Sequence, residues 1–336
     1  MSARTKGATL LEVTGLTKHY LVRKGIFSRV SGQVHAVDDV SFSIAEGETL
    51  GLVGESGCGK STTGKTVLRL VDPTSGSIEW RGRRIDRLNA VEMRPFRREL
   101  QAVFQDPYSS LNPRMRAMDI VGEPIRNFES ASQGEIRDRV AALFDKVGLR
   151  PDQMVKYPYE FSGGQRQRLG IARALAPGPK LIVCDEPVSA LDVSVQAQVI
   201  NLLMDLQQEL GLSYLFVAHD LAVVEHISHR VAVMYLGRIV EITDTRSLFT
   251  RPQHPYTEAL LSAVPLPDPG AARKRIILSG DVPSPINPPP GCRFHTRCPY
   301  AEARCRVEEP PTQEVAPGHY VACHLRPGKP VESPSA

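Results

Sequence analysis

Nine consecutive residues, Gly54-Glu55-Ser56-Gly57-Cys58-Gly59-Lys60-Ser61-Thr62, restrict the fold of this chain more than any other stretch. They match G-x-x-x-x-G-K-[ST], in which glycines let successive backbone N–H groups curl around phosphate oxygens at a helix N-terminus. Such a loop needs a buried strand running in and a helix running out. Glu48-Thr49-Leu50-Gly51-Leu52-Val53 reads as the strand, and Thr62 to Val71 as the helix. Lys60 is then placed to reach the β- and γ-phosphates of a nucleotide, and the Ser61 hydroxyl to help hold Mg²⁺.

The 336 residues suffice for one large core and a smaller appended module. We expect the core over residues 1–265, with a helical insertion at about 108–160, and the extension over 266–336. Hydrophobic content of 41%, charged content of 23% and a net charge of +4 describe a globular chain with no strongly basic face. No run approaches the ~18 apolar residues of a membrane span. The N-terminus Met1-Ser2-Ala3-Arg4-Thr5-Lys6 lacks the apolar centre of a secretory signal, so a cytoplasmic location is expected.

Between Leu10 and Ile44 apolar residues alternate in short runs, as antiparallel strands require, and Tyr20 in the first run can stack on an adenine ring or be an ordinary surface tyrosine. Gln101-Ala102-Val103-Phe104 reads as a strand that delivers Gln105 where its amide can meet Mg²⁺ or the attacking water. Ser132 and Glu135 form a capping box ahead of Ile136, Val140, Leu143, Phe144 and Val147 at helical spacing. Ser162-Gly163-Gly164-Gln165 opens a further helix, whose N-terminal N–H groups make an anion site or a plain cap.

Leu181-Ile182-Val183-Cys184-Asp185-Glu186 is a buried strand tipped by two acids. Asp185 can hold Mg²⁺ there while Glu186 faces a γ-phosphate. Asp192 leads into a long helix closed by Gly211, and the next strand, Tyr214 to Ala218, ends at His219. A hairpin is expected around Gly237.

In this order these motifs resemble the ATP-binding cassette family. Gly54 to Ser61 is similar to its Walker A loop, Gln105 to its Q-loop and Ser162 to Gln165 to its signature, with Phe161 where leucine is common. Leu181 to Glu186 resembles its Walker B strand, Ser189 to Asp192 its D-loop, His219 its switch histidine and Tyr20 its aromatic A-loop. The resemblance implies an α/β P-loop NTPase fold (RecA-like) with an antiparallel β subdomain and a helical subdomain. It also implies two ATP molecules sandwiched between two cassettes, Glu186 as general base, and His219 and Lys60 on the developing charge. Mg²⁺ would be held through Ser61, Gln105 and Asp185.

His254-Pro255-Tyr256-Thr257, followed by a Pro-rich stretch and a cysteine tail, is similar to the F-type ATPases of dipeptide and oligopeptide importers. Importers of nickel or glutathione use related subunits. The implied partners are two integral membrane permease subunits, a second and different cassette, and an extracytoplasmic binding protein, with this chain peripheral on the cytoplasmic face of a bacterial inner membrane and no nucleic acid bound. Soluble cassette ATPases of ribosomes or DNA carry paired cassettes, coiled-coil insertions or zinc modules, and none stands in this sequence.

Prolines crowd the chain from Pro265 on, so an extended wrap without a packed core is expected. Within it Cys292, Cys298, Cys305 and Cys323 follow a C-x₅-C-x₆-C-x₁₇-C spacing. A reducing cytoplasm argues against disulfides, and the spacing is wide for a zinc knuckle. A [4Fe-4S] cluster, Zn²⁺ with help from His295, His319 or His324, and free thiols are the three readings. Similar tails in peptide-importer ATPases are consistent with the cluster.

Overall fold

The run Leu181–Asp185 is buried throughout, as a parallel strand covered on both faces must be. In the computed structural model, which describes residues 8–24, 29–263 and 276–330, it is flanked by Leu100–Val103 and Ser213–Val217, both parallel to it. The register pairs Val103 with Cys184 and Asp185 with Val217, so the strands end together and carry the acid pair at their C-terminal edge. These strands belong to a compact unit formed chiefly by Arg87–Val217.

Helices complete that unit. Gln133–Lys146 starts at the expected capping box, with Ser132 and Glu135 bonded reciprocally. It buries Ile136, Val140 and Phe144, each worth roughly 1.5–3 kcal/mol of transfer free energy. Leu143 is only half-buried. Ala117–Phe128 lies against it, and Gly163–Leu175 packs on both. Ala117–Phe128 and Gln133–Lys146 are the two long helices of the stretch at about 108–160. Val193–Leu210 runs from its Asp192 cap to Gly211 in the left-handed conformation.

A second unit comprises Thr9–Ile44, Leu50–Asp86 and the chain from Ala218 on. Its antiparallel layer orders Arg29–Ala45, Thr9–Lys24, Ser75–Trp80 and Arg83–Arg84. Thr49–Val53 pairs in parallel with Arg230–Tyr235, Leu52 opposite Ala232. Arg238–Asp244 returns antiparallel through Leu236 (φ 43) and Gly237 (φ 83), the two positive φ values of a tight hairpin turn.

Two expectations need correction. The helix after the phosphate-loop candidate spans Lys60–Val67 and not Thr62 to Val71, because Arg69 takes φ 54 and ends it. The tail is not merely an extended wrap. His319–Ala322 pairs with Arg238–Asp244, Val321 opposite Glu241, and Thr312–Ala316 pairs with it in turn. His319, Val321 and Cys323 alternate inward as a half-buried strand demands, and Phe294 and Cys305 are buried as well. The 265/266 boundary falls in 264–275, outside the described residues.

The tail strand covers a buried carboxyl group. Glu241 is fully buried, 2.7 Å from His319 Nε2, and accepts the N–H groups of Gln253 and His254 at 2.8 and 2.9 Å. His254 in turn caps Pro255–Ser262, its Nδ1 accepting the Tyr256 N–H. Burial pushes the His254 imidazole down to about 4, so it stands neutral with Nδ1 unprotonated to accept that N–H.

Candidate active site

The loop from Gly54 to Ser61 is closed on one side by backbone. A Cβ on Gly54 would stand 2.1 Å from the Met234 carbonyl oxygen, and one on Gly59 2.0 Å from that of Ala36. With φ values of 151 and 109 as well, neither position admits another residue without rebuilding the loop. Gly59 caps Lys60–Val67 with no side-chain bond, and a helix N-terminus of this kind suits an anion. Lys60 is buried and donates from Nζ to the Gly54 and Glu55 carbonyls at 2.8 and 3.1 Å. It lies folded over the loop where a phosphate would sit. Ser61 and Thr62 follow in the first turn, half-buried, and Ser56 and Gly57 are exposed at the loop tip. Cys58 is a buried thiol pushed up by burial, which makes it a packing residue.

In the same unit Tyr20 is 39% exposed, with Lys18 Nζ over its ring 5.0 Å from the centre. His219 is exposed, just ahead of the Asp220 cap of Leu221–Ile227.

The other unit carries the acids. Asp185 is buried, while Glu186 is half-buried with φ 48, a left-handed conformation that a non-glycine residue adopts at a cost of about 1–3 kcal/mol. Gln105 Nε2 donates to Glu186 Oε2 at 3.2 Å, bringing the two sequence candidates together. Ser162 and Gln165 form a full capping box, the side chain of each holding the main chain of the other. That leaves the Gly163 and Gly164 N–H groups at the helix mouth. Gly164 is there for packing: a Cβ would lie 2.5 Å from Val195 Cγ1 of the helix that Asp192 caps. The Asp192 carboxylate accepts from Val195 N–H and Ser194 Oγ, which hold its pKa down.

A phosphate-type loop in one unit, and in the other a strained acid at a strand tip with an amide bonded to it, are each features that nucleoside triphosphate hydrolysis calls for, and comparison with known proteins agrees. Residues 37–189 match the ABC transporter family, and residues 240–305 match the oligopeptide/dipeptide transporter C-terminal region. A probable peptide ABC transporter ATP-binding protein of Sinorhizobium fredii is 58% identical over 94% of this chain and 90% of its own length. The chain belongs to the ABC transporter family. The oligopeptide transport ATP-binding protein AppF of Bacillus subtilis is 53% identical over 94% of the chain and 97% of its own length. Among solved structures, the dimeric ATP-binding cassette MJ0796 bound to ADP and Pi is 30% identical with TM-score 0.63, covering 70% of this chain and 99% of that one.

This ABC ATPase has no helix, among the described residues, long and apolar enough to cross a membrane. Its four tail cysteines gather in one place. Burial first, and the nearby Cys323, Cys305 and Cys298 thiols after it, push the Cys292 thiol up to about 11. Cys292 N–H also donates to the Cys305 carbonyl at 2.9 Å. The sequence candidates omit the residues that grip the phosphate loop from outside: Arg297 on the Glu55 carboxylate and Tyr256 on the Glu55 N–H. Another grouping, His19, His35 and Asp38, has ligand atoms within 4.8 Å of one another. Arg293 and Arg238 both lie on the Asp38 carboxylate, and two guanidinium charges oppose a cation there.

Proposed function

We propose that this chain is the ATP-hydrolysing subunit of a bacterial importer of small peptides, acting on the cytoplasmic face of the inner membrane. The observation that carries the ATPase half is the Gln105–Glu186 pair at the tip of a buried strand. The peptide half is supported by the oligopeptide/dipeptide transporter match and by the names of the relatives. The same chemistry would serve an importer of nickel, glutathione or another small solute.

ATP enters with its β- and γ-phosphates in the loop from Gly54 to Thr62 and its adenine against Tyr20. Lys60 leaves the Gly54 and Glu55 carbonyls for the phosphate oxygens. Ser61, Gln105 and Asp185 would hold Mg²⁺, which would supply neutralisation of charge on the phosphates. Glu186 takes a proton from water as that oxygen bonds to the γ-phosphorus and the bond to the β–γ bridging oxygen breaks, releasing ADP and phosphate. Lys60 and His219 hold the charge that develops.

The Gly163 and Gly164 N–H groups, left over by the capping box, face the ATP of a partner cassette, with Asp192 beside the shared interface. Two cassettes, favoured as different subunits, thus close on two ATP molecules and open after hydrolysis, driving two permease subunits fed by an extracytoplasmic binding protein.

Cys292, Cys298, Cys305 and Cys323 are read as ligands of a [4Fe-4S] cluster that ties the tail down. Four cysteine thiols are the donor set that such a cluster takes. Zn²⁺ remains the competing reading.

Gentle detergent extraction of the tagged chain from its own membranes, with mass spectrometry of what stays bound, tests the transport role. Two polytopic subunits and a second cassette are expected. Ribosomal or DNA-associated partners with nothing from the membrane would overturn it.

A further inference from the structure

Glu55 is the first variable residue of the phosphate loop, and nothing in phosphate recognition asks for a carboxylate there. The structure nevertheless holds it at both ends. Its carboxylate receives both arms of the Arg297 guanidinium, Nη1 to Oε2 at 2.7 Å and Nη2 to Oε1 at 3.1 Å. Its N–H donates to the Tyr256 hydroxyl at 2.8 Å. Its carbonyl is one of the two on which Lys60 rests.

Arg297 is 9% exposed and lies 6.0 Å from the Tyr235 ring centre, above a packed aromatic floor. In that floor Tyr235, Tyr256 and Phe294 stand 4.7 to 5.4 Å apart. The turn that presents Arg297 runs from Cys292 to Cys298, set by His295 N–H on the Cys292 carbonyl and Arg297 N–H on that of Phe294. The same turn makes a second contact. Arg293 donates to Asp38 and to the Leu236 carbonyl, and the neighbouring Gly237 N–H donates to the Cys58 carbonyl of the loop at 2.9 Å.

We infer that Arg297 is a positioning residue for nucleotide binding: from the cysteine-bearing turn it holds Glu55 and thereby keeps the phosphate loop open in its binding shape. A forked, partly desolvated ion pair is the interaction suited to this, because it fixes orientation as well as distance. The inference rests on the ATP-binding reading for its consequence, though not for the clamp itself. It also links the tail to catalysis, since any change that opens the Cys292–Cys298 turn reaches the loop through Arg297.

The test uses the full chain with Arg297→Gln, Glu55→Gln and the double variant, read out by hydrogen exchange over residues 54–62 without nucleotide and by the Kd for trinitrophenyl-ATP. Glu55→Gln leaves the tail untouched, which separates loss of the clamp from a misfolded extension. We expect faster exchange in the loop and Kd raised about 5- to 10-fold in each single variant, with the double no worse than either. For Arg297→Gln we expect KM for ATP to rise likewise, with kcat within about 2-fold of the parent. Unchanged exchange and Kd in both single variants, or fully additive losses in the double, would overturn the clamp. Because exchange needs no nucleotide, a parent chain that failed to bind ATP would refute the ATPase reading and leave the clamp to be judged on exchange.

Discussion

On the mechanism proposed above Lys60 and Glu186 carry the chemistry, and both sit in positions a polar side chain does not choose on its own. Lys60 is buried with its Nζ on two loop carbonyls and the Cys58 sulfur and no carboxylate among these partners, an arrangement that favours an incoming polyanion. We predict that Lys60→Ala binds ATP at least about 100-fold more weakly while its melting temperature falls little, because the ammonium's main partner is the ligand. Isothermal titration checks it, and unchanged affinity would rule out the loop as the phosphate site. These residues were legible in the sequence because their motifs are local. Arg297 was not, because its partner Glu55 is 242 residues away and no spacing rule joins them.

The elements divide in the same manner. Buried strands and capped helices follow from short patterns, and Leu181–Asp185, the Ser132 capping box and the Gly237 hairpin all stand where those patterns put them. The tail strands were hidden by prolines around them, although His319, Val321 and Cys323 alternate as a half-buried strand should. The tail's attachment at Glu241 and His254 carries a pH signature. His254 titrates near 4 in the folded chain through burial, opposed by Glu241 and assisted by Arg326, whereas it titrates near 6.5 when unfolded. The unfolded chain therefore takes up the proton first, and the stability this neutral cap contributes is whole above pH ~6.5 and lost as pH falls toward ~4. Asparagine keeps an acceptor at the cap without the titration. We predict that His254→Asn loses about 2–3 kcal/mol less than the parent between pH ~7 and ~4.5, measured by urea unfolding. Parallel pH profiles would remove His254 as the cause.

At the scale of the whole molecule, the chain is an ABC ATPase whose motifs were readable in order and whose relatives share nearly its full length. What one chain cannot supply is the cover over its own nucleotide, and on this account a partner cassette brings Gly163 and Gly164 to it. The account turns on Glu186 as the base that ends the closed state. The measurement that tests it most directly is ATP turnover by Glu186→Gln, together with its elution on size exclusion in MgATP beside whichever cassette it pairs with. We predict a fall in turnover of about 100-fold or more with ATP still bound and a stable closed dimer. Hydrolysis near the parent rate, with no dimer accumulating, would contradict the account.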